Sequence, residues 1–185
     1  MRIITFAGMP GCGKSCAARD LAAQLSCKWV DLDAEVERRA GKSIARIFAE
    51  DGEAAFRHLE KDTLQCLVRD FSTSLEMTEP MSFRPSKASG EISQSKASGE
   101  ISIVLSLGGG TLQDPENLEL VKEQTYCIWL DTPLETIAER LWAQGNIGAR
   151  PLLASAKTKK ELEELLKSIY ESRKPAYRAA AKEVR

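Results

Sequence analysis

Ile3-Ile4-Thr5-Phe6-Ala7-Gly8-Met9-Pro10-Gly11-Cys12-Gly13-Lys14-Ser15 opens the chain with an apolar run, a glycine-rich turn and a lysine–serine pair. Residues 8–15 match G-x-x-x-x-G-K-[ST], and a helix-like stretch from Cys16 to Leu25 follows at once. A strand feeding a glycine turn that opens a helix is the setting in which this pattern marks a phosphate-binding loop. Glycines let the backbone curl round an anion with several N–H groups pointing inward. The helix behind them adds its dipole and its unsatisfied N–H donors. On this reading Gly11, Cys12, Gly13, Lys14 and Ser15 hold a nucleotide. Lys14 reaches the β- and γ-phosphates as a mobile charge, and the Ser15 hydroxyl takes Mg²⁺.

The rest of the composition suits a cytoplasmic nucleotide-binding enzyme. The 185 residues, 43% of them hydrophobic, suffice for one domain spanning residues 1–185 with a substantial core. Lys and Arg total 26 against 27 Asp and Glu, so neither a nucleic-acid-binding face nor a polybasic membrane anchor is expected. No apolar run approaches a membrane span, and Met1-Arg2 leads into a strand instead of a signal peptide. The five cysteines are odd in number and scattered, which fits neither a disulfide framework nor a zinc site. Reduced thiols are expected.

Periodicity predicts further strands over residues 28–30, 101–107 and 126–130, and helices over 15–26, 34–40, 43–49, from 52 past 67, from 133 to about 141, and 157–170. Asp33 is placed to cap the second helix. Trp29 and Trp129 are expected in core strands. Strands alternating with helices imply a three-layer α/β/α architecture around a central parallel sheet. Ser86-Lys-Ala-Ser-Gly-Glu-Ile-Ser93 recurs as Ser95-Lys-Ala-Ser-Gly-Glu-Ile-Ser102. Two short copies build no solenoid, so residues 72–100 read as a solvated insertion. The end of the second copy, Ile101-Ser102, is expected to join the following strand.

Several motifs now agree. Beyond the phosphate loop stand Asp31-Leu32-Asp33, Gly41-Lys-Ser-Ile44-Ala-Arg-Ile47-Phe48, Gly52-Glu53-Ala-Ala-Phe56-Arg57-His-Leu-Glu60, Gly108-Gly109-Gly110, Arg150-Pro151-Leu152-Leu153 and Arg173-Lys-Pro175-Ala-Tyr177. In this order they resemble the shikimate kinase family of nucleoside-monophosphate-kinase-like P-loop enzymes, over about residues 2 to 178. The resemblance implies transfer of the γ-phosphoryl of ATP to the 3-hydroxyl of shikimate, a step of aromatic amino acid biosynthesis, with Mg²⁺ as cofactor.

It also implies roles. Lys14, Asp33 and Arg150 are the catalytic candidates. Arg57 and Arg173 suit a carboxylate through planar guanidinium donors, Asp33 orients the attacking hydroxyl, and Gly109 and Gly110 offer N–H groups to the acceptor. Glu60 fixes Arg57. Asp31 joins Ser15 at the metal, and Arg140 stacks on adenine. Arg150 lies in a lid over about residues 144–157 and reaches the phosphates together with the loop residues. The acceptor-binding subregion covers about residues 31–61. Cys16, among the nucleotide-contacting positions, stands where the family usually has threonine, so a hydroxyl near the α-phosphate is lost.

The family continues past Tyr177 through a final strand, an adenine-contacting loop and a terminal helix, whereas this sequence reads Glu183-Val184-Arg185 at its end. The expectation is therefore a sheet lacking its last strand and the C-terminal helix. Weakened ATP binding or self-association of an otherwise monomeric chain at the open edge would follow. Two other functions stay open at this point. One is a kinase for another small hydroxy acid such as gluconate. The other is a non-catalytic P-loop module that binds a ligand or partner through the insertion.

Overall fold

A computed structural model describes residues 3–73, 101–145, 147 and 152–185. Five parallel strands form the sheet: β1 (Ile3–Gly8), β2 (Lys28–Asp31), β3 (Ile103–Ser106), β4 (Tyr126–Leu130) and β5 (Glu183–Val184), in the order β2-β3-β1-β4-β5. Every residue of β1 and β3 is buried, as expected of central strands covered on both faces. Side chains alternate between those faces. Ile4, Phe6, Val104 and Ile128 pack with Ala18 and Ala22 of α1 (Lys14–Gln24). Ile3, Ala7, Ile103, Leu105, Cys127 and Trp129 face the opposite layer. That layer contains α4 (Gly52–Thr73), α5 (Pro115–Gln124), α6 (Leu134–Gln144) and α7 (Lys159–Ala180).

A smaller apolar cluster, Val36, Ile47 and Phe56, joins α2 (Leu32–Ala40), α3 (Ile44–Glu50) and the start of α4. It gives residues 32–60 a packing centre of their own beside the sheet. Among the described residues no helix is long and apolar enough to cross a membrane.

Four expectations change. The cap of α2 is Asp31, whose side chain accepts the Ala34 N–H, so Asp33 lies inside the first helical turn with its carboxylate free for other work. Trp29 is 36% exposed because β2 is an edge strand, whereas Trp129 is 2% exposed. The last strand is present: β5 pairs with β4 through Ile128 and Trp129, and main-chain bonds from Lys182 to Cys127 and from Arg185 to Trp129 extend the ladder. Ile101 and Ser102 precede β3 instead of lengthening it. Of the repeat-bearing insertion, residues 74–100 lie outside the described residues, while Ser72 and Thr73 finish α4.

Two helical elements were illegible in the sequence pattern, a 3₁₀ turn at Thr111–Gln113 and α5. Asp114 starts α5 by accepting the N–H groups of Glu116 and Asn117 at 2.8 and 3.1 Å, with Pro115 at the first helical position. Asp114→Ala is expected to lower stability by about 1 kcal/mol, read as a reduced urea midpoint at constant slope. An unchanged midpoint would show that the cap contributes nothing.

Candidate active site

The phosphate loop closes on itself. Gly13, the residue before α1, adopts φ 103°, a left-handed conformation that side-chain-bearing residues avoid. The buried Lys14 ammonium donates to the carbonyls of Gly8 (3.1 Å) and Met9 (2.9 Å). These weak acceptors hold the charge at the loop until stronger ones arrive. Cys12 is buried and contributes its carbonyl, which accepts from Thr132 at 3.1 Å and from Arg140 at 3.4 Å. Arg140 therefore reaches the phosphate loop from α6. Cys16, in the first turn of α1, is exposed.

Beside the loop, Ser15 Oγ donates to Asp31 Oδ2 at 2.6 Å and lies 3.2 Å from Ser106 Oγ at the end of β3. Two hydroxyls and a carboxylate are hard oxygen donors converging at a strand end. That set fits Mg²⁺, which keeps several waters and takes few protein ligands.

The rest of the cavity wall includes Asp33, Arg57, Glu60 and the three glycines. Asp33 is pushed up to about 6, chiefly by burial and then by the neighbouring charges of Asp31 and Glu60, against the pull of Lys14 and Arg57. Glu60, 1% exposed, accepts from Arg57 at 2.7 Å and from Thr111 Oγ1 at 2.5 Å. Arg57 also donates to Glu53, so its guanidinium is steered from both sides. Burial disfavours the Arg57 charge, but Glu60 and Glu53 outweigh it and hold the group above its ordinary value.

The glycines are required by space. A Cβ on Gly108 would lie 2.6 Å from Glu60 Oε1 and 2.7 Å from Asp33 Oδ1. On Gly110 it would meet the Arg57 guanidinium at 2.8 Å. From α7, Arg173 is buried and donates to the Gly109 carbonyl at 2.9 Å.

One cavity of about 1170 Å³ joins these parts. Its lining includes Gly11, Cys12, Gly13, Lys14, Ser15 and Cys16 together with Asp33, Arg57, Gly109, Gly110 and Arg173. Asp31 and Arg140 border it as well, as do Phe48 and Phe56, whose rings lie 5.0 Å apart. Arg150 lies outside the described residues, as do 146, 148, 149 and 151 of the expected lid. His58 has Asp62 at 3.3 Å on the exposed face of α4.

Sequence reasoning missed Ser106, Thr111, Thr132 and Arg185 as parts of this region, and quoted Tyr177 only within the motif that begins at Arg173. Ser106 and Thr111 flank the glycines in sequence, and that proximity was the available signal. Nothing local marks Thr132 or Arg185, which the packing of α6 and β5 brings to the cavity.

The shikimate kinase family model matches residues 10–75 and 82–185. The chain belongs to the shikimate kinase family. It is 35% identical over 182 residues to a shikimate kinase of Chlorobium chlorochromatii, covering 96% of this chain and 78% of that one. To a shikimate kinase of Persephonella marina it is 37% identical over 180 residues, with coverages of 97% and 86%. Among solved structures, shikimate kinase from Acinetobacter baumannii in complex with shikimate superposes with a TM-score of 0.76 at 26% identity, over 100% of this chain and 83% of that one. Membership of this family makes the chain an ATP-using kinase, and the parallel five-stranded sheet agrees with the family fold.

Proposed function

We propose that the chain transfers the γ-phosphoryl group of ATP to the 3-hydroxyl of shikimate, giving shikimate 3-phosphate and ADP. The observation that carries this reading is the single cavity in which the phosphate loop faces Asp33, Arg57 and Arg173. A small ring acid needs guanidinium donors for its carboxylate and a carboxylate acceptor for its hydroxyls, and both stand within reach of the loop. In solved structures, the Acinetobacter baumannii relative was captured with shikimate.

Phosphoryl transfer depends on positioning and on neutralising charge spread over the transferred oxygens. The loop N–H groups and Lys14 take the β- and γ-phosphates, and Lys14 exchanges the Gly8 and Met9 carbonyls for phosphate oxygens. Asp33 accepts a hydrogen bond from the acceptor hydroxyl and points its lone pair at the γ-phosphorus. A bond forms from that oxygen to phosphorus while the bond to the bridging oxygen of ADP breaks, and the hydroxyl proton passes late to the Asp33 carboxylate. Ser15 and Asp31, with Ser106 behind them, would hold Mg²⁺, which supplies charge neutralisation at the β- and γ-oxygens. Arg140 covers the adenine, and Arg150 closes over the phosphates from the lid at residues 144–157. Residues 1–185 act as one domain in this reading, with 31–61 as the acceptor-binding part. The five unbridged cysteines suit a reducing, cytoplasmic setting.

The test is a coupled ADP-release assay with shikimate, with gluconate and without acceptor. Turnover with shikimate alone is expected. Turnover with gluconate only would reassign the acceptor, and none with any acceptor would leave a ligand-binding P-loop module. Arg173→Ala is expected to raise the acceptor KM by about tenfold to a hundredfold, the loss of one charge-assisted hydrogen bond, with a smaller change for ATP. Equal acceptor KM in variant and wild type would remove Arg173 from the acceptor site.

A further inference from the structure

Two turns meet at the cavity floor, the phosphate loop and Gly108–Gly110. They touch closely: a Cβ on Gly109 would lie 2.8 Å from Pro10 Cδ. Below the contact stands Tyr177, 1% exposed. Its hydroxyl donates to the Gly109 carbonyl at 2.5 Å, and its oxygen lies 4.0 Å from Met9 Sδ in the phosphate loop. Arg173, one helical turn earlier on the same face of α7, donates to the same carbonyl. One carbonyl thus receives two donors from one helix.

The consequence follows from peptide geometry. A trans peptide points its C=O and the next N–H in opposite directions. Holding the Gly109 oxygen against α7 therefore turns the Gly110 N–H away from α7. Among the described residues, neither the Gly109 nor the Gly110 N–H donates to a main-chain carbonyl, and both residues line the cavity. Burial, opposed only in part by Arg173, pushes the Tyr177 hydroxyl up to about 12, so it carries its proton throughout the working range.

We propose that Tyr177 is a positioning residue for the acceptor. Together with Arg173 it fixes the Gly109 carbonyl, aims the following N–H into the cavity, and sets the spacing between the glycine turn and the phosphate loop. This inference rests on the shikimate-phosphorylating reading given above.

Tyr177→Phe removes the hydroxyl and keeps the ring, whose centroid lies 5.9 Å from that of Trp129. The expected result is an acceptor KM raised about tenfold with the ATP KM changed by less than about twofold, the loss of one orienting hydrogen bond on one substrate's side. Trp129→Phe thins the same packing and leaves the hydroxyl in place. It is expected to lower Tm while leaving the acceptor KM at the wild-type value. Unchanged acceptor KM in Tyr177→Phe, an equal rise for both substrates, or an equal acceptor effect in Trp129→Phe would each overturn the proposal. Wild-type turnover of shikimate separates the two levels. If the wild type turns over no shikimate, the acceptor reading fails and takes this inference with it. If the wild type is active and Tyr177→Phe matches it, only the inference fails.

Discussion

Lys14→Ala is expected to lower kcat by roughly a thousandfold or more with little change in Tm, the scale seen when a charge-stabilising group is removed from phosphoryl transfer. The side chain is 8% exposed, and its ammonium bonds only to main-chain carbonyls and approaches the Cys12 sulfur at 3.9 Å. No carboxylate neutralises it in these bonds. A buried ammonium so lightly compensated is held in readiness for an anion. In the proposed reaction, its removal takes away the positive charge that meets the γ-phosphoryl oxygens as charge spreads over them. The core is untouched, because Lys14 packs against the loop. Single-turnover rates and thermal melts of the same preparations check both halves of the prediction. A variant retaining more than about a tenth of wild-type kcat would show that the loop N–H groups suffice without the lysine.

Gly108→Ala is expected to reduce kcat/KM at least a hundredfold, because the new methyl would displace the groups proposed to orient the acceptor. Its Cβ would lie 2.6 Å from Glu60 Oε1, 2.7 Å from Asp33 Oδ1 and 2.9 Å from Thr111 Oγ1. Glu60 and Thr111 cannot simply swing aside. Glu60 is tied to Arg57 and Thr111 by bonds of 2.7 and 2.5 Å, and relieving the clash moves the Arg57 guanidinium with it. Overpacking at such a site costs about 1–3 kcal/mol of stability as well. Gly41 offers the contrast. It has φ 67° with nothing within 4 Å of its Cβ position, so Gly41→Ala strains the backbone without reaching the cavity. Steady-state kinetics should show a loss of activity in Gly108→Ala and near-normal activity in Gly41→Ala. Equal kinetics in the two variants would mean that the Gly108 contact is not needed for turnover.

Much of this was readable from local pattern. The apolar run of β1, the glycine spacing and the following helix lie within two dozen residues, so their geometry is set by local propensity and the phosphate loop could be read directly. Asp31 and Asp33 were legible as a pair at a strand end with separate roles, yet the residue that caps α2 was not. Which of them caps α2 depends on where the helix starts, and that is settled by Leu32 being drawn into the core at 0% exposure. Residues 111–124 were missed because the 3₁₀ turn and the ten-residue α5 carry their signal in Asp114 and Pro115, too short a stretch for periodicity.

The sequence by itself determined the alternation of strands and helices, the anion-binding turn and the identity of the charged groups near it, since each depends on residues close along the chain. Tertiary structure alone decided that Arg57, from α4, and Arg173, from α7, line one cavity with the loop, and that Tyr177 and Glu60 bond to Gly109 and to Thr111 just after the glycine turn. Those contacts span 51 and 68 positions. Contacts so distant along the chain form only when the sheet order brings the end of β3 beside β1 and packing lays α4 and α7 against it. No local propensity encodes that approach.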